Sequence, residues 1–130
     1  MDLNGVALIA GAASGIGRQV ALAMASRGMN TIVCADLKFA AACSTARECL
    51  ERKATQTTEF KIRVLQFDVT DEASVQHMVD ETKRLFGRID HFVNTAGVSQ
   101  EVQFLCLHGL HCGENLWAID PHRLTTHIWS

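Results

Sequence analysis

Apolar runs alternate with stretches of helical period along residues 1–97, and this alternation sets the expected elements. Gly5-Val6-Ala7-Leu8-Ile9-Ala10 is apolar on both faces, as strands of a buried parallel sheet are. A glycine-rich turn follows. Beyond it, Ile16, Val20, Ala23 and Met24 recur at helical spacing, with Gly28 placed as a stop. Thr31 to Ala35 reads as a second strand, ending at Asp36. Residues 40–53 form a helical pattern of weaker periodicity. Lys61 to Phe67 alternate into a third strand that ends at Asp68. Thr70-Asp71-Glu72 caps a third helix and sets acids in its first turn, where the helix dipole favours them. Val75, Met78, Val79, Thr82, Leu85 and Phe86 line that helix, and Gly87 ends it. Ile89 to Val93 is the expected fourth strand. Strand–helix alternation at this spacing predicts an α/β fold, with a parallel sheet and right-handed crossovers.

The pattern fades after Gly97. Residues 98–130 hold both tryptophans, the only proline (Pro121) and four of the six histidines. They show no sustained period beyond Val102 to Leu107. The expected organisation is therefore a patterned unit, 1–97, followed by an irregular C-terminal tail, 98–130. The change of composition is that of a shifted reading frame, a retained intron or an alternative exon.

Composition narrows the function classes. The chain has 130 residues, 48% hydrophobic and 20% charged, which is ordinary for a globular protein. Twelve basic against 14 acidic residues give no electrostatic case for nucleic acid or an anionic membrane surface. The apolar run from Val6 to Ala13 is broken by Gly11 and falls short of the roughly 20 residues a membrane span needs. No basic leader precedes it, so a cytoplasmic location is expected, with Cys34, Cys43, Cys49, Cys106 and Cys112 as free thiols. Cys106, His108, His111 and Cys112 are zinc-type ligands, but their spacing matches no finger pattern, and no metal site is expected.

The candidate chemistry lies in Gly11-Ala12-Ala13-Ser14-Gly15-Ile16-Gly17, between a strand and a helix. There Gly11 permits a tight turn, Gly15 lets backbone approach a pyrophosphate, and Gly17 lets the helix pack close to the sheet. The helix N-terminus offers N–H groups and a positive dipole end to phosphates. Asp36 ends the next strand about 20 positions later, where an acid accepts hydrogen bonds from an adenosine ribose. Its charge opposes a 2′-phosphate, which favours NAD over NADP, although Lys38 stands two residues on.

With these residues in view, positions 5–97 resemble the N-terminal, nucleotide-binding half of the short-chain dehydrogenase/reductase family. The family's Thr-Gly-x-x-x-Gly-x-Gly corresponds to Ala10 through Gly17, with Ala10 lacking the hydroxyl that helps tie the first turn. Asp68-Val69 resembles the family's adenine-contacting pair. Asn94-Thr95-Ala96-Gly97 resembles its Asn-Asn-Ala-Gly beside the nicotinamide ribose, with Thr95 as the departure. The resemblance implies a Rossmann-like doubly wound parallel sheet, truncated here after the fourth strand. It implies cofactor contacts at Gly11, Ser14, Gly15, Ile16, Gly17, Asp36, Asp68, Val69, Asn94, Ala96 and Gly97. It also implies NAD(P)-dependent hydride transfer between an alcohol and a ketone of unspecified structure.

In the same family a serine orients the substrate carbonyl and the tyrosine of a Tyr-x-x-x-Lys helix donates or accepts the proton. Here tyrosine is absent, and no lysine follows Lys83. No catalytic residue is therefore assigned, and the chain as given is expected to be inactive. The alternatives are a non-catalytic NAD-binding fragment and an interaction module that self-associates through an exposed fourth strand, since open edges invite pairing.

Overall fold

The computed structural model describes residues 4–97. Four parallel strands and three helices alternate in it: β1 (Val6–Ala10), α1 (Gly15–Ser26), β2 (Thr31–Asp36), α2 (Phe39–Arg52), β3 (Lys61–Gln66), α3 (Glu72–Phe86) and β4 (His91–Asn94). The sheet order is β3-β2-β1-β4, a Rossmann-like arrangement in which the chain reverses direction across the sheet between β1 and β4. The expectations for residues 98–130, including Cys106, Cys112 and the tail histidines, lie outside the described residues. Among those described, no helix is long and apolar enough to cross a membrane.

β1 is buried at all five positions and β2 at its first five, as strands covered on both faces must be. Ala7, Ile9, Ile32 and Cys34 join Ala21, Leu22, Ala25 and Cys49 in one core cluster, so α1 and α2 cover that face. Cys34, Cys43 and Cys49 are free thiols. The Cys34 thiol hydrogen-bonds to Cys49, and this bond together with burial pushes its ionisation upward.

The buried stripe of α1 is Gly17, Ala21, Leu22 and Ala25; of the predicted positions, Val20 and Met24 pack half-buried against the core, while Ile16 and Ala23 are exposed. Ile16 is 73% exposed. Ile16, Val20 and Ala23 line an open groove of about 550 Å³ along the outer side of α1. The physical reason is proximity. Small residues at Gly17, Ala21 and Ala25 let the helix axis lie close to the sheet, with Leu22 buried beside them and Ile16 turned outward. Across α1 and α2, Glu48 accepts from the guanidinium groups of both Arg18 and Arg52.

α3 has the expected caps. The Asp71 carboxylate accepts from Ala73 N at 3.1 Å, and Gly87 closes the helix in the left-handed region (φ 76°). Its buried residues are Val75, Met78, Val79 and Thr82.

β4 begins at His91, two residues later than Ile89, its predicted start. Residues 88–90 are used otherwise. Asp90 accepts from Val6 N at 2.8 Å and from Arg88 Nε at 2.8 Å, while its own N–H donates to Val6 O at 2.9 Å. This clamp fixes the register Ala7↔His91 through Ala10↔Asn94.

The clamp has a pH signature. Arg88, and then the Val6 N–H, hold the Asp90 carboxyl below the usual carboxylate range. A depressed folded-state pKa adds stability above the unfolded value of about 4, and that stability is lost as acid protonates the group. Asp68 and Glu81 are depressed too, so the wild-type chain loses stability as pH falls below about 4. Asp90→Asn should flatten that loss. Urea unfolding from pH 6 down to pH 3 checks it, and identical slopes for the two proteins would remove Asp90 from the account.

Candidate functional site

In a parallel sheet every strand points its carboxyl end to the same edge, and ligands of open α/β sheets bind outside that edge where the strand order reverses. Here the edge carries the glycine loop after β1, Asp36 at the end of β2, Asp68-Val69 after β3 and Asn94 to Gly97 after β4.

The loop is fixed by backbone. Gly11 N donates to Ala35 O at 2.8 Å, and Ala12 N to the same oxygen at 3.2 Å. Gly11 has φ 87°, and a Cβ there would lie 2.7 Å from Ala96 N. Gly17 is closed off even more tightly. A Cβ on it would lie 2.1 Å from Gly11 O and 2.4 Å from Thr95 Oγ1.

Gly15 is the opposite case. Its φ is 58°, and a Cβ would meet nothing within 4 Å. Ser14 is the extended N-cap of α1, yet its side chain makes no capping hydrogen bond, and the first turn holds no acid. Ser14, Gly15 and Ile16 are all exposed. The helix thus presents first-turn N–H groups without an intrahelical partner, and in front of Gly15 there is open space. These features fit a bound phosphate group, which needs close backbone, donors and a positive dipole end.

Asp36 joins the loop to the next strand. Oδ2 accepts from Ala13 N at 2.9 Å, and Oδ1 from Lys38 N at 3.0 Å. A carboxylate has about four lone-pair sites, so capacity remains on both oxygens. Phe67 N donates to Asp36 O at 3.2 Å, which ties the end of β3 alongside. There Asp68 Oδ1 accepts from Thr70 Oγ1 at 2.6 Å and from Thr70 N at 2.9 Å. The hydroxyl, and then the N–H, hold its carboxyl below the usual range. Asp68 N donates to Ser74 Oγ at 2.8 Å, and Val69 is half-buried beside it. After β4, Asn94 Oδ1 accepts from Ala96 N at 3.1 Å, and Gly97 is exposed.

The predicted residues therefore fall into two bonded groups: the loop with Asp36, and the loop with the 94–97 turn. Asp68 and Val69 reach the loop only through Phe67 and Asp36. Sequence reasoning missed Thr95, noted there merely as a departure. Its hydroxyl donates to Ala10 O at 2.9 Å, with Gly11 O also in reach at 3.3 Å. The sequence shows a hydroxyl lost at Ala10 and one present at Thr95, and the structure brings the two positions together.

The family model described as short chain dehydrogenase matches residues 5–109, past the expected boundary at Gly97. The short-chain dehydrogenase anuF of Penicillium roqueforti is 49% identical over 98 residues, which are 75% of this chain and 35% of that protein. The chain thus spans about a third of the length of the curated relatives it matches. A Burkholderia cenocepacia structure with bound NADP is similar at TM-score 0.60 and 29% identity, covering 70% of this chain and 33% of that one. A structure described as ribose-5-phosphate isomerase from Brucella melitensis is similar at TM-score 0.65 and 32% identity, over 78% of this chain and 34% of that one. One fold hosts several chemistries, so function is argued from the site.

Proposed function

The chain belongs to the short-chain dehydrogenase family, and from that premise we propose that residues 5–97 bind a nicotinamide dinucleotide at the carboxyl ends of the strands. The observation that carries this reading is Gly15, at φ 58° with open space before it, beside an uncapped helix N-terminus. The pyrophosphate lies against the exposed Ser14, Gly15 and Ile16, on the turn that Gly11 and Gly17 shape. Asp36 accepts hydrogen bonds from the adenosine ribose. Asp68 and Val69 border the adenine, and Asn94, Ala96 and Gly97 the nicotinamide ribose. The dinucleotide, when bound, supplies the hydride donor or acceptor.

NAD is the preferred form. A 2′-phosphate would meet the Asp36 carboxylate, and like unit charges about 4 Å apart repel by roughly 1–4 kcal/mol between water and a protein surface. Arg18, the basic residue in α1's first turn, is already paired with Glu48. The inherited activity is oxidation of an alcohol or reduction of a ketone. These 130 residues contain no tyrosine and no lysine after Lys83, so by themselves they bind the dinucleotide without turning it over. A phenol near pKa 10 needs a neighbouring cation to exchange protons near neutrality, and these 130 residues supply no phenol.

Calorimetric titration of the full chain tests the reading. NAD should bind about tenfold tighter than NADP, the equivalent of ~1.4 kcal/mol. Asp36→Ser should narrow that gap. Equal affinity of the wild-type chain for both would remove the case for NAD, and no binding of either would overturn the reading. Following nicotinamide absorbance with a panel of alcohols should show no turnover, and turnover abolished by replacing a histidine within 98–130 would overturn the claim of inactivity.

A further inference from the structure

We propose that Thr95 is the positioning residue of the glycine loop: its hydroxyl holds the end of β1 and the first turn of α1 in the geometry that receives the dinucleotide. This rests on the dinucleotide reading above, and it concerns a side chain that does not itself face the ligand.

Three contacts converge on that hydroxyl. It donates to Ala10 O at 2.9 Å, and Gly11 O lies 3.3 Å away as a second acceptor. The Thr95 N–H donates to Ala10 O as well, at 2.9 Å, so one residue binds this carbonyl twice. On its third side is Gly17, where even a Cβ would approach Thr95 Oγ1 to 2.4 Å. The hydroxyl therefore fills the gap between the loop's first carbonyls and the helix's first turn.

The position matters because the loop turns here. Gly11 leaves β1 at φ 87°, and its carbonyl is directed toward Gly17 rather than along the ladder. Ala10 has only a methyl group and offers no donor to the turn. Gly11 N and Ala12 N both bond to Ala35 O, which secures the β2 side of the loop. On the β4 side the corresponding tie comes from Thr95. If that tie is lost, Gly11 is free to rotate its carbonyl, and the start of α1 moves with it. The N–H groups beside Gly15 are then no longer aimed as one set.

The substitutions follow from the distances. Thr95→Val keeps the shape but puts a methyl where an oxygen now sits 2.9 Å and 3.3 Å from two carbonyl oxygens. Carbon contacts prefer about 3.5–4.0 Å, so the loop must shift as well as lose its donor. Thr95→Ser keeps the donor and serves as the rescue.

The experiment uses the full chain, with calorimetric titration of NAD and amide hydrogen exchange of the free protein. Thr95→Val should bind NAD about tenfold more weakly, the effect of one net hydrogen bond, and Thr95→Ser should stay within about twofold of wild type. In the free protein, Thr95→Val should speed exchange at Gly11 and Ala12 while the amides between β2 and β3 keep their protection. A merely structural role would speed all of them together. Unchanged affinity with unchanged exchange at Gly11 and Ala12 would overturn the proposal, as would failure of Thr95→Ser to restore binding. If the wild-type chain binds no dinucleotide, the functional reading fails, and the exchange of Gly11 and Ala12 decides by itself whether Thr95 locks the loop.

Discussion

Gly15→Ala should weaken dinucleotide binding by about 10- to 100-fold, while Gly87→Ala, carrying the same backbone strain, should leave binding unchanged. Both glycines have positive φ, 58° and 76°, and in both cases an added Cβ meets nothing within 4 Å. Each substitution therefore costs the same thing, an L-residue in the left-handed region, worth roughly 1–2 kcal/mol. What differs is where the methyl group goes. At Gly87 it enters solvent at the C-cap of α3. At Gly15 it enters the space in front of the α1 N-terminus, the proposed pyrophosphate position. Losing one charge-assisted hydrogen bond to a backbone N–H costs about 1.5–3 kcal/mol, which is the stated range in affinity. Calorimetric titration measures binding, and urea unfolding should show both variants destabilised alike. Equal affinities for the two variants would locate the ligand elsewhere.

Gly17→Ala should lower the melting temperature by roughly 10–20 °C. Two effects compete. In a helix interior alanine is favoured over glycine by up to about 1 kcal/mol, so helix propensity alone predicts a gain. Against that, the new Cβ would lie 2.1 Å from Gly11 O and 2.7 Å from Gly11 C, which are backbone atoms with no rotamer to change. Overpacking of this kind costs about 1–3 kcal/mol and occasionally more, and because the atoms met are backbone, so that either α1 or the β1 turn must move, the cost lies at the upper end, about 3–4 kcal/mol before the propensity gain is subtracted. A net loss of about 2–3 kcal/mol converts at roughly 4–8 °C per kcal/mol for a unit of this size. Differential scanning calorimetry checks it, and an unchanged or raised melting temperature would mean that the close approach of α1 to Gly11 is absent in solution.

Some of this fold is legible in the sequence for a simple reason. β1 and β2 are buried on both faces, so they read as unbroken apolar runs. α3 announces itself through Asp71 at one end and Gly87 at the other. The α1 face is not legible in the same way. Hydrophobicity marks Ile16, Val20, Ala23 and Met24, of which Val20 and Met24 pack half-buried, but the closest-packed surface is set largely by small size, at Gly17, Ala21 and Ala25 beside Leu22. A pattern search weighted by hydrophobicity is blind to a stripe chosen for closeness. The start of β4 was missed because Asp90 is a long-range bond partner, joined to Val6 across 84 positions. In the site, the glycines and Asp36 could be placed because their spacing reflects one continuous strand–turn–helix–strand unit. The contribution of Thr95 requires knowing that the end of β4 lies beside the end of β1, which local sequence does not say.

The 84-position separation between β1 and β4 also bears on how the chain comes to fold. β1, β2 and β3 are joined through successive crossovers, each closing over a short stretch of chain. The partner on the other flank of β1 is synthesised last among the described strands. At about 5–20 residues per second, translation takes roughly 4–17 s to cover that interval. For that time the nascent β1 carries an unpaired ladder on one side, at the centre of what will become the sheet. Arrival of β4 closes the longest loop among the strand pairings, the slowest kind of contact to gain, and only then do Thr95 and Asp90 reach β1. The turn proposed to receive the ligand is therefore expected to be among the last parts of the described fold to take shape.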